Sequence, residues 1–114
     1  MQITRYEPGP RMSRIVEHNG TIYFCHVADD PSRDLQDQVR QVLRRIEASL
    51  AMAGSDKSRI LTAQIFLSEI RDFAAMNEIW DAWVDRANPP VRATFEARLG
   101  RPELKVEIFV TAAK

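Results

Sequence analysis

The chain has 114 residues, 45% of them apolar and 28% charged, which is one ordinary globular domain's worth of sequence and excludes wholesale disorder. Sixteen basic and sixteen acidic residues cancel, so neither nucleic acid nor an anionic membrane meets a strong attractive field. At this length folding withdraws roughly 65% of the chain's surface from water, enough for a core without staples.

Residues Ile3 to Tyr6 form a short predicted strand, ended by Pro8-Gly9-Pro10. Arg14 to Glu17 and Thr21 to His26 read as two strands joined through His18-Asn19-Gly20. Asn-Gly tolerates the positive φ that a tight hairpin requires. Asp29 to Ser32 is a loop, and Asp30 to Asp34 offer N-cap oxygens for a helix. Leu35, Val39, Val42, Leu43, Ile46 and Leu50 then recur at helical spacing as one apolar stripe. Gln38, Arg40, Arg44, Arg45 and Glu47 fall off that stripe, and Ala53-Gly54 is its stop.

Ile60 to Leu67 reads as a strand with one wholly apolar phase: Leu61, Ala63, Ile65 and Leu67. A second helix begins within Ser68 to Asp72 and carries Phe73, Met76, Asn77, Trp80 and Trp83 or Val84 along one side. Asn88-Pro89-Pro90 ends it. Val91 to Leu99 alternates strictly, with Val91, Ala93, Phe95 and Ala97 on one face and Arg92, Thr94, Glu96 and Arg98 on the other. After a turn at Gly100 to Glu103, Lys105 to Thr111 is the last strand.

The succession β-β-β-α-β-α-β-β predicts an α+β domain over residues 1–114, one sheet with two helices on one face. The apolar strand phases are expected to face those helices. The opposite phases, carrying Thr62, Gln64, Arg92, Thr94 and Glu107 among Ile60, Phe66 and Phe109, suit oligomer contact beside a lined cleft.

Few residues carry chemistry. A single cysteine, Cys25, excludes internal disulfides, and only His18 and His26 join it as soft ligands, so no metal site is expected. Strand neighbours point to opposite faces, which disfavours a Cys25–His26 dyad. Arg92 and Glu107 share a nominal sheet face, on strands that a short turn would pair as a hairpin. There an Arg fork can hold a carboxylate while the Glu directs a water. The same two residues also suit a simple cross-strand ion pair. No run reaches the ~18 apolar residues of a membrane span. Met1 to Tyr6 shows no signal-peptide pattern, so a cytoplasmic protein is expected.

Three runs point to a family: Asp72-Phe73-Ala74-Ala75-Met76-Asn77, Pro90-Val91-Arg92-Ala93-Thr94 and Lys105-Val106-Glu107-Ile108. Together they resemble the Rid (YjgF) family of reactive intermediate enamine/imine deaminases, over nearly the whole chain. The resemblance implies a chorismate-mutase-like fold, assembled as a homotrimer with the sheets as a central barrel and ligand clefts between subunits. It implies hydrolysis of small 2-imino or enamine acids, of the 2-aminoacrylate or 2-iminobutyrate type, to 2-oxo acids and ammonia, with no cofactor. On this resemblance Arg92 binds the substrate carboxylate, Glu107 handles the attacking water, Thr94 contacts ligand through its backbone, and Asn77 lies near the cleft.

The N-terminal part departs from the family. Gly-Pro-Tyr-Ser-Gln is replaced by Gly9-Pro10-Arg11-Met12-Ser13-Arg14, and Ser-Gly-Gln by Phe24-Cys25-His26. Arg11, Met12, Phe24 and Cys25 therefore stand at substrate-facing positions of a divergent branch. Two other uses of the same cleft fit it: a non-catalytic regulator binding small carboxylates, and a hydrolase for a pathway-specific enamine or amide.

Overall fold

The computed structural model describes residues 2–114. In chain order the elements are β1 (Ile3–Tyr6), β2 (Ile15–His18), β3 (Thr21–Val27), α1 (Leu35–Met52), β4 (Ile60–Leu67), α2 (Phe73–Trp83), β5 (Val91–Glu96) and β6 (Val106–Ala113). This is the expected succession. The six strands form one sheet in the order β1-β2-β3-β6-β4-β5. Every neighbouring pair is antiparallel except β4 and β5, which run parallel. The domain is α+β with a mixed sheet.

Local chemistry accounts for the boundaries. Asn19 and Gly20 take φ of 56° and 76°, both positive, as a two-residue hairpin turn between right-twisted strands demands. Asp34 opens α1 by accepting from the Asp37 amide at 2.9 Å. At the other end Ser55 N–H donates to Leu50 O at 2.8 Å and Gly54 N–H to Ala51 O at 3.1 Å. That paired closure needs a left-handed residue, and Gly54 supplies it at φ 78°.

The core lies on one side of the sheet. Val39, Val42, Leu43, Ile46 and Leu50 of α1 join Ile22 and Phe24 of β3, Ile65 of β4 and Val106, Ile108 and Val110 of β6, all buried. Met76 and Trp80 of α2 extend the cluster. Each such side chain contributes about 1.5–3 kcal/mol through burial. The opposite side leaves Tyr23, Val91, Phe95 and Phe109 exposed at 39%, 73%, 45% and 41%.

At the start of β4 the register shifts between Ile60 and Thr62, so Ile60 is buried and Leu61 exposed, the reverse of the expected phases. Three further expectations are corrected. First, β5 and β6 do not form a hairpin, because β4 lies between them. Second, the phases of β5 are inverted. Arg92 and Thr94 lie beside Ala63 and Ile65 of β4, whose side chains are buried, so they share the helix side. Val91, Ala93 and Phe95 lie beside Thr62, Gln64 and Phe66 on the bare side. The reason is that β5 is an edge strand flanked by α2, whose rings accept a guanidinium.

Third, Gln38 is fully buried. Its amide nitrogen donates to the carbonyls of Pro31, Arg33 and Glu103 at 3.0, 3.0 and 3.1 Å. Its oxygen accepts from Lys105 N–H at 3.0 Å. One side chain thus ties the start of α1 to the start of β6. Boundaries shift less: β2 begins at Ile15, β3 reaches Val27, β5 ends at Glu96, and β6 extends to Ala113.

Replacing Gln38 with Leu should lower stability by about 1–3 kcal/mol although the new side chain is more apolar, since buried main-chain groups lose their partners. A drop in the denaturant midpoint at constant slope checks this.

Candidate functional site

Arg92 projects from β5 toward α2. Its Nη1 donates to Asn77 Oδ1 at 2.8 Å. The guanidinium carbon stands 5.5 Å from the Trp80 ring centre and 5.8 Å from that of Phe73, within range of cation–π attraction. Phe73, Asn77 and Trp80 meet it together because spacings of four and three share a helix face. Trp80 in turn packs against Trp83, ring centres 5.4 Å apart. Among the described residues no carboxylate pairs with Arg92, so most of its five N–H donors are free for a ligand. On the same side of the strand, Thr94 Oγ1 is buried without a hydrogen-bond partner.

Glu107 belongs to a different place. It lines a groove of about 420 Å³ with Met12, Arg14, Cys25, His26 and Arg45. β3 and β6 bring it there, pairing Val27 with Glu107 and Cys25 with Phe109. Burial first, then the Glu107 carboxylate, push the Cys25 thiol above its ordinary range. Cys25 therefore stays a neutral thiol rather than a nucleophile.

His26 points to the core side. Its Nε2 lies 2.7 Å from Ser49 Oγ, and Arg14 Nε donates to the same oxygen at 3.2 Å. Burial first, then the charges of Arg45 and Arg14, lower its pKa to about 4. The imidazole is neutral near pH 7 and forms no pair with Cys25.

The residues singled out from sequence thus divide. Arg92, Asn77 and Thr94 come together at α2 and β5. Glu107, Cys25 and Met12 come together at the groove. Phe24, 4% exposed, is a core residue, so its ring does not face a ligand: even-numbered side chains of β3 point toward α1. Arg11 is exposed on the β1–β2 loop, outside the groove lining. Arg92 and Glu107 occupy opposite faces of the sheet. Their register positions are two strand spacings and three residues apart, roughly 14 Å between Cα atoms. A small ligand cannot touch both within one chain.

Sequence reasoning missed Arg14, Arg45 and Ser49. Arg45 reads as part of a solvated helix face, yet its Nη1 donates to Val27 O at 2.8 Å. Ser49 was detectable: it falls three residues after Ile46 on the inward side of α1, where a hydroxyl needs a partner. Among the described residues no cluster of three or more His, Cys, Asp or Glu could hold a metal ion. No helix among them is long and apolar enough to cross a membrane.

Comparison with known proteins follows the same outline. Residues 2–114 match the family model described as Endoribonuclease L-PSP. A RutC family protein of Haemophilus influenzae is 44% identical over 114 residues, spanning 98% of both chains. The RutC family protein YoaB of Escherichia coli is 45% identical over 113 residues, 99% of each chain. The crystal structure of NMB1025 from Neisseria meningitidis, described as a member of the YjgF protein family, is similar with a TM-score of 0.97. It is 43% identical, with 100% of this chain and 96% of that one covered. More distantly, an E. coli protein provisionally named reactive intermediate deaminase TdcF is 27% identical over 111 residues, 96% of this chain and 86% of its own.

His26 gives a pH prediction. Its folded pKa of about 4 lies below the ordinary value near 6.5. Between these values the unfolded chain binds the extra proton, so stability is full above about pH 6.5 and declines as pH falls toward 4. His26→Gln, which does not titrate, should flatten that part of the curve, read as thermal midpoint against pH.

Proposed function

The chain belongs to the Rid/YjgF family, and on that premise we propose that it hydrolyses small reactive 2-imino and enamine acids to 2-oxo acids and ammonia. Arg92 carries this reading. A guanidinium steadied by Asn77 and two aromatic rings, with no carboxylate paired to it among the described residues, is a preorganised receptor for a ligand's carboxylate.

In the proposed reaction Arg92 holds the substrate carboxylate in its fork. Glu107 accepts a proton from water as the oxygen adds to the imine carbon. Glu107 passes that proton to the imine nitrogen, giving a carbinolamine; it then takes the hydroxyl proton and delivers it to the amino group as the C–N bond breaks and the oxygen closes to a carbonyl. Water and imine are consumed; oxo acid and ammonia leave. Imines hydrolyse unaided, so positioning and a general acid–base contribution of 10²–10⁴-fold suffice.

Since one chain keeps Arg92 and Glu107 on opposite faces, this reading draws them from two protomers. The bare sheet side, with Tyr23, Phe95 and Phe109 exposed, supports association of copies through that side. A homotrimer with the helices outward is the proposed assembly, and sedimentation should return three times the 13.1 kDa chain mass.

Arg92→Lys should lose most activity on 2-iminobutyrate in a coupled oxidase assay, because a point ammonium cannot replace the fork. Glu107→Gln should lower kcat by about 10²–10⁴-fold. Arg92→Ala activity equal to the parent's would overturn the assignment, and saturable binding without turnover would favour the regulator. Co-refolding Arg92→Ala with Glu107→Gln chains should recover about a quarter of parent activity if the site is shared between neighbours; no recovery would overturn the shared site.

A further inference from the structure

The groove that holds Glu107 also holds two arginines that the deamination proposed above does not use. Arg14 and Arg45 both line it. Each guanidinium is pinned along one edge by a neutral acceptor. Arg14 Nε donates to Ser49 Oγ at 3.2 Å, and that hydroxyl is steadied by His26 at 2.7 Å. Arg45 Nη1 donates to Val27 O at 2.8 Å. Those contacts occupy only part of each five-donor fork.

Their acidic partners are poor competitors. Glu7 lies 3.6 Å from Arg14 with its side chain 62% exposed, and Asp29 lies 3.5 Å from Arg45 at 73% exposure. The arginines themselves are 27% and 34% exposed. Two half-buried, oriented cations thus face carboxylates that water already solvates well, and such exposed pairs are weak. Glu7 lines the groove as well, at its solvated margin, and the remaining charge there is Glu107. His26, neutral near pH 7, adds none.

We propose that Arg14 and Arg45 form a second anion-binding subsite, and that the preferred substrate is a 2-imino or enamine dicarboxylic acid whose distal carboxylate they hold. The inference rests on the deaminase reading and adds its substrate class. Arg92 takes the carboxylate beside the reacting carbon, Glu107 serves the carbon itself, and the arginine pair takes the far end. Glu107 repels a carboxylate placed next to it, which favours a ligand whose second anionic group reaches past it to the guanidinium pair.

The test compares two imines generated in the assay by amino-acid oxidases: 2-iminoglutarate from glutamate and 2-iminobutyrate from 2-aminobutyrate. The parent should favour the diacid by at least tenfold in kcat/KM. Arg14→Gln and Arg45→Gln should each lower that ratio severalfold or more, mainly through KM. Equal kcat/KM for the two imines in the parent overturns the proposal, as does a ratio that neither substitution moves. Calorimetry with 2-oxoglutarate and 2-oxobutyrate separates this from the deaminase reading. Tenfold tighter binding of the diacid, lost on Arg45→Gln, sustains the subsite even if no imine turns over. Equal affinities together with rapid turnover of 2-iminobutyrate leave the deaminase standing and remove the subsite.

Discussion

A six-stranded sheet has two sides, and this chain has apolar cover for one. Both helices are committed to the side where Ile22, Ile65 and Ile108 are buried. The burial of α1's stripe against β3 and β6 is the main source of order. Everything chemical is then arranged by what that commitment leaves. α2 sits over edge strand β5 and grips Arg92. Glu107, one residue out of phase with the buried Val106 and Ile108, is sent to the other side. The separation of the two groups is a geometric result of strand alternation and of β4 standing between β5 and β6.

Much of this was legible from residue patterns. The Asn19-Gly20 turn, the α1 stripe with its Gly54 end, and the bounds of β4 follow from local rules that need no knowledge of the rest of the chain. The side to which β5 turns Arg92 was not legible. Strict alternation defines two phases but does not say which faces inward, and the apolar phase was the natural choice. On an edge strand that choice fails, because aromatic rings on α2 make the helix side hospitable to a guanidinium. Strand pairing was equally hidden. A short turn after β5 suggests a hairpin, whereas the sheet inserts β4, a partner from far earlier in the chain. Gln38 and the His26–Ser49–Arg14 cluster escaped for a related reason. Their partners are distant in sequence, as with Gln38 and Lys105, which are 67 positions apart.

Membership in the Rid/YjgF family fits this architecture, and some of the residues at which the chain departs from the family's N-terminal pattern come together. Met12, Arg14, Cys25 and His26 all line the Glu107 groove. Arg92 and Asn77, which the resemblance leads one to expect, meet between β5 and α2. Part of the N-terminal variation therefore lines the groove, while Arg11 is exposed outside it and Phe24 lies in the core.

Gln38 has an evolutionary corollary. By gripping the carbonyl of Glu103 and the amide of Lys105, it resets the path of the backbone just upstream of β6. Whatever the polypeptide does between Ala97 and Pro102, Glu107 emerges at the same place. That stretch is free to drift, lengthen or acquire new surface chemistry in descendants of this gene without disturbing the acid at the heart of the groove.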